Sequence, residues 1–318
     1  MRAGGRQATT GSESINIHLP FKFCAPAKNH VTPFCYDACM RPRPFTLAQS
    51  MGTVLALGWS DFVLKYRGSV LGYLWALVSP LMRFAVILYI LGPYVSPSIP
   101  QYPLYLFLGI IIWEHFANTT TACMNMLFDK SQIIRHLPFP KILLILSVGW
   151  TNLLIFATHI LIFLIFAWVR GADLSLHTFA LIITTVQMTF LALGVGMILA
   201  SYTLKYRDLP HLWTIITQLL FWLTPVMYPY RTDGPALLRI ASFVHEGGSR
   251  SFTAAMRLFI ELQPLAIVIN DARRVTLYAV DTAPTLIHVL GITLVCVIIF
   301  AVGLSLFRRR SPSFPQEY

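Results

Sequence analysis

The sequence predicts an all-α membrane protein: six transmembrane helices, an N-terminal amphipathic interfacial helix, and re-entrant helices between spans five and six. Three observations carry that prediction. Of 318 residues, 56% are hydrophobic and 12% charged, with mean hydropathy +0.65. A soluble domain usually carries about 25% charged residues, so the surplus apolar surface has to face lipid. The apolar residues gather in stretches of about 20 or more, the length that crosses a hydrocarbon core of roughly 30 Å. The net charge of +11 falls between those stretches and is not pooled in one patch. That is how basic residues set topology at a bilayer surface, and it argues against a nucleic-acid partner.

Residues 1–50 are polar and proline-rich, with Pro20, Pro26, Pro33, Pro42 and Pro44, and read as a poorly ordered extension. Met40 and Met51 are alternative start sites on this reading, and the stretch has no continuous apolar segment of the signal-peptide kind. Cys24, His30, Cys35 and Cys39 fall here, but their spacing fits no standard zinc site, so no metal is expected. Cys123 and Cys296 lie in apolar stretches and read as small buried hydrophobes. The six-span membrane domain is expected over 51–310, followed by a tail at 311–318.

Between Trp59 and Tyr73, apolar and charged residues alternate at roughly helical spacing, and Trp59, Lys65, Tyr66, Arg67, Tyr73 and, just beyond, Trp75 suit the headgroup zone. An amphipathic helix on the inner membrane surface follows. The spans are expected at about 74–95, 103–127, 142–168, 176–203, 210–230 and 285–307. Gly92-Pro93 and Pro97 close the first, Pro100 and Pro103 open the second, and Pro138 and Pro140 separate the second from the third. Lys205, Tyr206, Arg207, Asp208 and Pro210 split the fourth from the fifth.

With six spans, Lys65 and Arg67, then Lys130, Arg135 and Lys141, then Lys205 and Arg207, then Arg308, Arg309 and Arg310 all fall on one side. The short loops of the other side are nearly bare of charge, so both termini are expected in the cytoplasm. The segment 231–284 is long, carries several arginines and falls outside by parity. Its apolar runs at 236–244 and 253–269 are too short to span and read as re-entrant or interfacial helices.

At five places the residues resemble a known family. Lys65-Tyr66-Arg67-Gly68-Ser69-Val70-Leu71-Gly72-Tyr73-Leu74-Trp75, with Ser79-Pro80-Leu81 after it, resembles the start of the permease subunits of polysaccharide-exporting ABC transporters, which move O-antigen, capsule and teichoic-acid chains. Phe107-Leu108-Gly109 with Trp113 and Phe116 is similar to the family's second span, and Ile134 to Lys141 to its cytoplasmic loop. Tyr206-Arg207-Asp208 followed by Thr224-Pro225-Val226-Met227-Tyr228-Pro229 is similar to its fifth-span signature. Gln263-Pro264 near Asp271-Ala272-Arg273-Arg274 resembles its Asn-Pro segment, with Gln where Asn is usual. The resemblance implies a six-span permease of the bacterial inner membrane. It would act as a homodimer with two copies of a separate ATPase, the dimer interface forming a channel for a lipid-linked glycan.

The chain contains no Gly-Lys pair and hence no P-loop, so it holds no ATP by that route; ATP and any cofactor chemistry would belong to a partner subunit. Arg135, His136, Leu137, Pro138 and Phe139 form either an ordinary basic loop or, as the resemblance implies, the contact through which an ATPase drives the spans. Arg207 and Asp208 are either a second such contact or a local ion pair capping a helix. Arg83 and Glu114 are the clear charges inside spans, and burying a charge there costs several kcal/mol unless it is paired or hydrated. They form either a structural pair or a surface on an aqueous lumen.

Trp113, Phe116 and Tyr228 belong either to an aromatic belt at the headgroups or, stacking on sugar rings, to a glycan path. Gly194-Val195-Gly196 lies mid-membrane and reads as a close helix contact. No catalytic constellation is visible. Two other functions stand beside the first: a drug or small-lipid exporter permease, and a membrane glycosyltransferase or acyltransferase using Asp233, Glu246, Glu261 or Asp271.

Overall fold

The computed structural model describes residues 47–68, 72–95, 101–130, 140–172, 179–228, 262–277 and 285–311, with Pro97, Ile99 and Phe259 as single positions, all within the unit Pro42–Tyr318. The N-terminal extension, the loop 131–139, the runs 236–244 and 253–258, and the tail from 312 lie outside the described residues. Among the described residues the fold is all-helical, with no strand. Its helices are α1 (Leu47–Tyr66), α2 (Leu74–Val95), α3 (Tyr102–Asp129), α4 (Lys141–Val169), α5 (Leu181–Thr203), α6 (Leu209–Leu223), α7 (Pro264–Leu277) and α8 (Leu286–Arg310).

Turn residues set most of the boundaries. α1 stops at Tyr66 because Gly68 takes a left-handed φ of 83°, a conformation that ends helices at little cost only for glycine. The expected helix through Tyr73 is therefore the end of one helix plus a turn. Pro103 sits in the first turn of α3, where its missing N–H costs nothing. Pro140 is extended and immediately precedes α4.

Four helices, α2, α4, α5 and α8, are long and apolar enough to cross a membrane. α3 has 28 residues, about 42 Å at 1.5 Å per residue, but carries Glu114, His115 and Thr119 to Thr121. Twenty of its residues are buried, so α3 is the inner post of the bundle; Glu114, His115, Thr119 and Thr120 face protein, while Asn118 and Asn125 are exposed. His115 pairs with Thr189 Oγ1 at 3.1 Å and stacks on Phe156, and Trp213 Nε1 donates to Thr120 Oγ1 at 3.0 Å. α2, α4, α5, α6 and α7 all pack on this post.

Small residues bring the remaining helices together. A Cβ on Gly194 of α5 would lie 2.8 Å from the Phe300 backbone of α8, and Gly303 faces Gly194 in return. Gly196 meets Cys123 of α3 at 2.9 Å from a notional Cβ. Without a hydrophobic drive between helices in lipid, such close backbone approach supplies the packing. α1 lies along α4 through Gly58, whose carbonyl accepts from Thr151 Oγ1 at 2.9 Å. Beside that seam, Met51, Leu55, Trp59 and Val63 of α1 stay exposed.

Candidate functional site

At 15 residues α6 is about 22 Å long, short of a roughly 30 Å core. The expected fifth span, 210–230, is thus interrupted. Pro225 cannot donate its backbone N–H, and Thr224 before it is extended at φ −81°, ψ 138°. From there 224–228 continues as irregular backbone, which survives at membrane depth only where protein or water satisfies it.

Here α3 and α7 supply the donors. The Pro225 and Val226 carbonyls accept from Arg273 Nη1 and Nη2 at 2.7 and 2.6 Å. Those of Met227 and Tyr228 accept from the Tyr102 and Tyr105 hydroxyls, both at 3.0 Å. Gln263 Nε2 donates to Thr224 Oγ1 at 3.0 Å, and Tyr228 Oη donates back to the Leu223 carbonyl at 3.1 Å. Arg273 is 1% exposed; it also donates through Nε to the Tyr105 carbonyl and lies 3.5 Å from the Tyr105 ring centroid. Gly109 leaves the space for this guanidinium, since a Cβ there would overlap Nη2 and come within 3.0 Å of the Val226 carbonyl. Asp271, on the same helix, takes a contact from His288 Nε2 of α8 at 3.1 Å.

This cradle unites three stretches that stand far apart in the sequence: 102–109, 224–228 and 263–274. Sequence reasoning missed Arg273 and Gly109 as site residues. The one available signal was that each lies in a stretch resembling the family.

Beside the cradle, Arg83 Nη1 of α2 lies 3.4 Å from Glu114 Oε1 of α3, and its guanidinium sits 5.5 Å from the Phe221 ring of α6. Glu114 is buried, whereas the Arg83 side chain is 43% exposed on the α2 face. Trp113 and Phe116 are buried inside the protomer, against Phe221 and Trp213, and present no surface to a path. α3 lies at the centre of the bundle, so its aromatics point into protein. Exposed aromatics on these elements include Tyr89 at 85%, Tyr94 at 81% and Trp222 at 63%, with Tyr228 half-buried.

The model of one family, ABC-2 type transporter, matches residues 53–244, more than half the chain and including the α6 break. The chain belongs to the ABC-2 type transporter family. It is 25% identical over 272 residues to the O-antigen export system permease protein RfbA of Myxococcus xanthus, covering 85% of this chain and 97% of that one. It is 31% identical over 170 residues to an RfbA of Klebsiella pneumoniae, covering 53% of this chain and 65% of that one. The polysialic acid transport protein KpsM of Escherichia coli is 22% identical over 180 residues, 56% of this chain and 70% of its own length.

At the opposite end of this ABC-2 bundle the basic segments gather. Lys130, closing α3, pairs with Asp61 of α1, and Lys141, opening α4, donates to the Ser311 carbonyl after α8. Arg310 lies 4.0 Å from the Tyr202 ring of α5. Both flanks of the loop 131–139 are therefore tied to other elements, while Arg135, His136, Leu137, Pro138 and Phe139 themselves lie outside the described residues. Arg207 and Asp208 are exposed; Asp208 occupies the N-cap position of α6 without a side-chain capping bond.

On α1, Trp59, Phe62, Tyr66 and Tyr73 form one aromatic cluster, with Lys65 5.9 Å from the Tyr66 ring; Arg67 and Trp75 are exposed. Burial, with Tyr73 beside it, pushes the Tyr66 hydroxyl up to about 12, so it stays neutral at physiological pH.

Proposed function

We propose that this chain is the membrane-spanning subunit of an ABC exporter that moves a lipid-linked polysaccharide outward across a bacterial inner membrane, driven by a separate ATPase. The observation that carries this is similarity along 97% of an O-antigen export permease, in a chain whose sequence contains no P-loop lysine.

Six spans suit the architecture. α2, α4, α5 and α8 cross by length and composition, α3 crosses because its mid-helix ionisable groups Glu114 and His115 are buried, and α6 completes its crossing with the cradled segment 224–228. The basic ends of the bundle then face the cytoplasm, as do both termini. α1 rests on the inner surface with Met51, Leu55, Trp59 and Val63 toward the acyl chains. The loop 131–139 and the exposed Arg207-Asp208 turn receive the ATPase, which binds the ATP; the permease itself binds no cofactor.

The α2 surface supports a homodimer. A half-exposed arginine facing acyl chains is costly, so Arg83 needs a second copy or a wet lumen beside it. Two copies meeting around that face would give both: a path edged by Arg83, with the buried Glu114 pairing it from behind, and with Tyr89, Tyr94, Trp222 and Tyr228 offering faces on which sugar rings stack.

The test is deletion of the gene in its own host, followed by analysis of surface and intracellular glycan. The expected result is loss of one surface polysaccharide and accumulation of its lipid-linked form inside, restored by the chain together with its ATPase. An unchanged surface glycan with no lipid-linked intermediate contradicts the reading.

A further inference from the structure

The groups that hold segment 224–228 do more than satisfy buried carbonyls. α6 is the one helix among the expected spans that stops well short of a crossing, and the rest of its crossing is backbone with no internal hydrogen bonds of the helical kind. The position of that backbone is set from outside itself. α3 contributes two tyrosine hydroxyls; α7 contributes a glutamine amide and a guanidinium that takes consecutive carbonyls, those of Pro225 and Val226. α6 packs on α3 through Phe221 and Trp213, and the α3 tyrosine hydroxyls hold Met227 and Tyr228. At Pro225 and Val226 the spacing is set by the guanidinium, which is wedged between the Tyr105 ring and the bare Cα of Gly109 while its fork reaches the two carbonyls.

The geometry points to Arg273 as a positioning residue for the outer end of α6. By clasping the Pro225 and Val226 carbonyls against Gly109, it keeps that end of the pathway sealed until α6 is displaced. The inference rests on the proposed reading of the chain as a transporter, but not on what it carries. Arginine suits the task where lysine does not. A planar fork holds two adjacent carbonyls at once and fixes both distance and angle, whereas an ammonium is a single point that can swing. Release of such a clasp is also all-or-none. Once the fork leaves, two carbonyls at membrane depth lose their donors together, so a half-open position is disfavoured. Asp271 against His288 fixes α7 to α8, so the clasp is anchored to a long apolar helix rather than to a free loop.

The experiment uses the full chain with its ATPase in sealed membrane vesicles, in a background where the native cysteines are replaced. Val226→Cys keeps the carbonyl and places a thiol at a position 0% exposed. A membrane-impermeant maleimide applied from the outer side reports whether the cradle opens. Labelling should be slow in the otherwise unaltered chain. It should rise at least about tenfold with Arg273→Lys, which loses the fork, and with Gly109→Ala, whose methyl displaces the guanidinium from the other side.

Gly149→Ala is the control, because its Cβ meets the flexible Leu193 side chain at 2.9 Å, away from the cradle. It should leave labelling unchanged. A purely packing role would move all three alike, and that result overturns the inference. So does unchanged labelling in both cradle variants when they insert and bind the ATPase as the parent does. Should Arg273→Lys fail to accumulate, Gly109→Ala carries the test alone.

Because labelling needs no substrate, the two readings fail separately. A glycan-export assay that finds no glycan defect leaves the clasp standing if labelling rises. Intact labelling control with lost export condemns the clasp and leaves the exporter reading in place.

Discussion

Glu114 shows what lets a charge persist at membrane depth. It is buried in the most enclosed helix, with Arg83 as its ion-pair partner at 3.4 Å. Removing one partner of a fully buried pair costs about 3–5 kcal/mol; Arg83 is partly exposed, so Glu114→Gln should cost roughly 1–2 kcal/mol. Detergent melting of Glu114→Gln and of the swapped pair Arg83→Glu/Glu114→Arg checks this: the single change should melt earlier and the swap should recover part of the loss.

Gly194 makes a sharper residue-level case. Its notional Cβ meets Phe300 backbone, which cannot rotate away, whereas the Cβ of Gly149 meets a leucine side chain that can. Gly194→Ala should therefore cost about 1–3 kcal/mol by overpacking and Gly149→Ala distinctly less, read in the same melts. Equal losses would contradict the α5–α8 contact. Gly194 was legible as a close helix contact because a glycine pair amid apolar residues has few other uses. Arg273 was not legible, because its partners are backbone carbonyls 47 and 48 positions away and no spacing rule connects them.

At the scale of elements, α2, α3, α4 and α8 lie within three residues of the stretches read from hydropathy, because proline, glycine and basic residues punctuate those ends. α6 departs from its stretch for a local reason. Thr224-Pro225 sits inside an apolar run, and hydropathy averages over the one residue that breaks the helix. Pro225→Ala restores an N–H and removes the clash with the preceding turn, so α6 should lengthen. A cysteine scan over 220–230 should then show a helical period of labelling through 228, and export should fall while insertion persists. A broken period in the variant would contradict the role given to Pro225.

Likewise the loop 131–139, tied at both flanks through Lys130 and Lys141, is expected to carry force from the ATPase. Arg135→Ala or Phe139→Ala should leave the chain folded and dimeric but lower export about tenfold or more. Unchanged export with substrate-stimulated ATP turnover would remove the loop from the mechanism.

For the whole molecule, the distribution of polar groups is the informative feature. α3 hides Glu114 and His115, α2 leaves Arg83 at the surface, and the basic ends collect on the side away from the cradle. A lone protomer in lipid would leave Arg83 costly and α6 half-wrapped, which is why a pair of chains around the α2 face accounts for the surface better than one. Composition and charge placement made the membrane architecture legible, since both are sums over many residues. Pairing between protomers is not such a sum; in the sequence it was implied only by the family resemblance, and the exposed face of α2 supports it.

The most direct measurement of the central claim, a transport subunit that depends on a separate engine, is purification of the tagged chain from its host in mild detergent. The account predicts that a Walker-type ATPase co-purifies in about equal amount, in a particle containing two copies of each. A chain that repeatedly purifies intact and functional without any ATPase contradicts it.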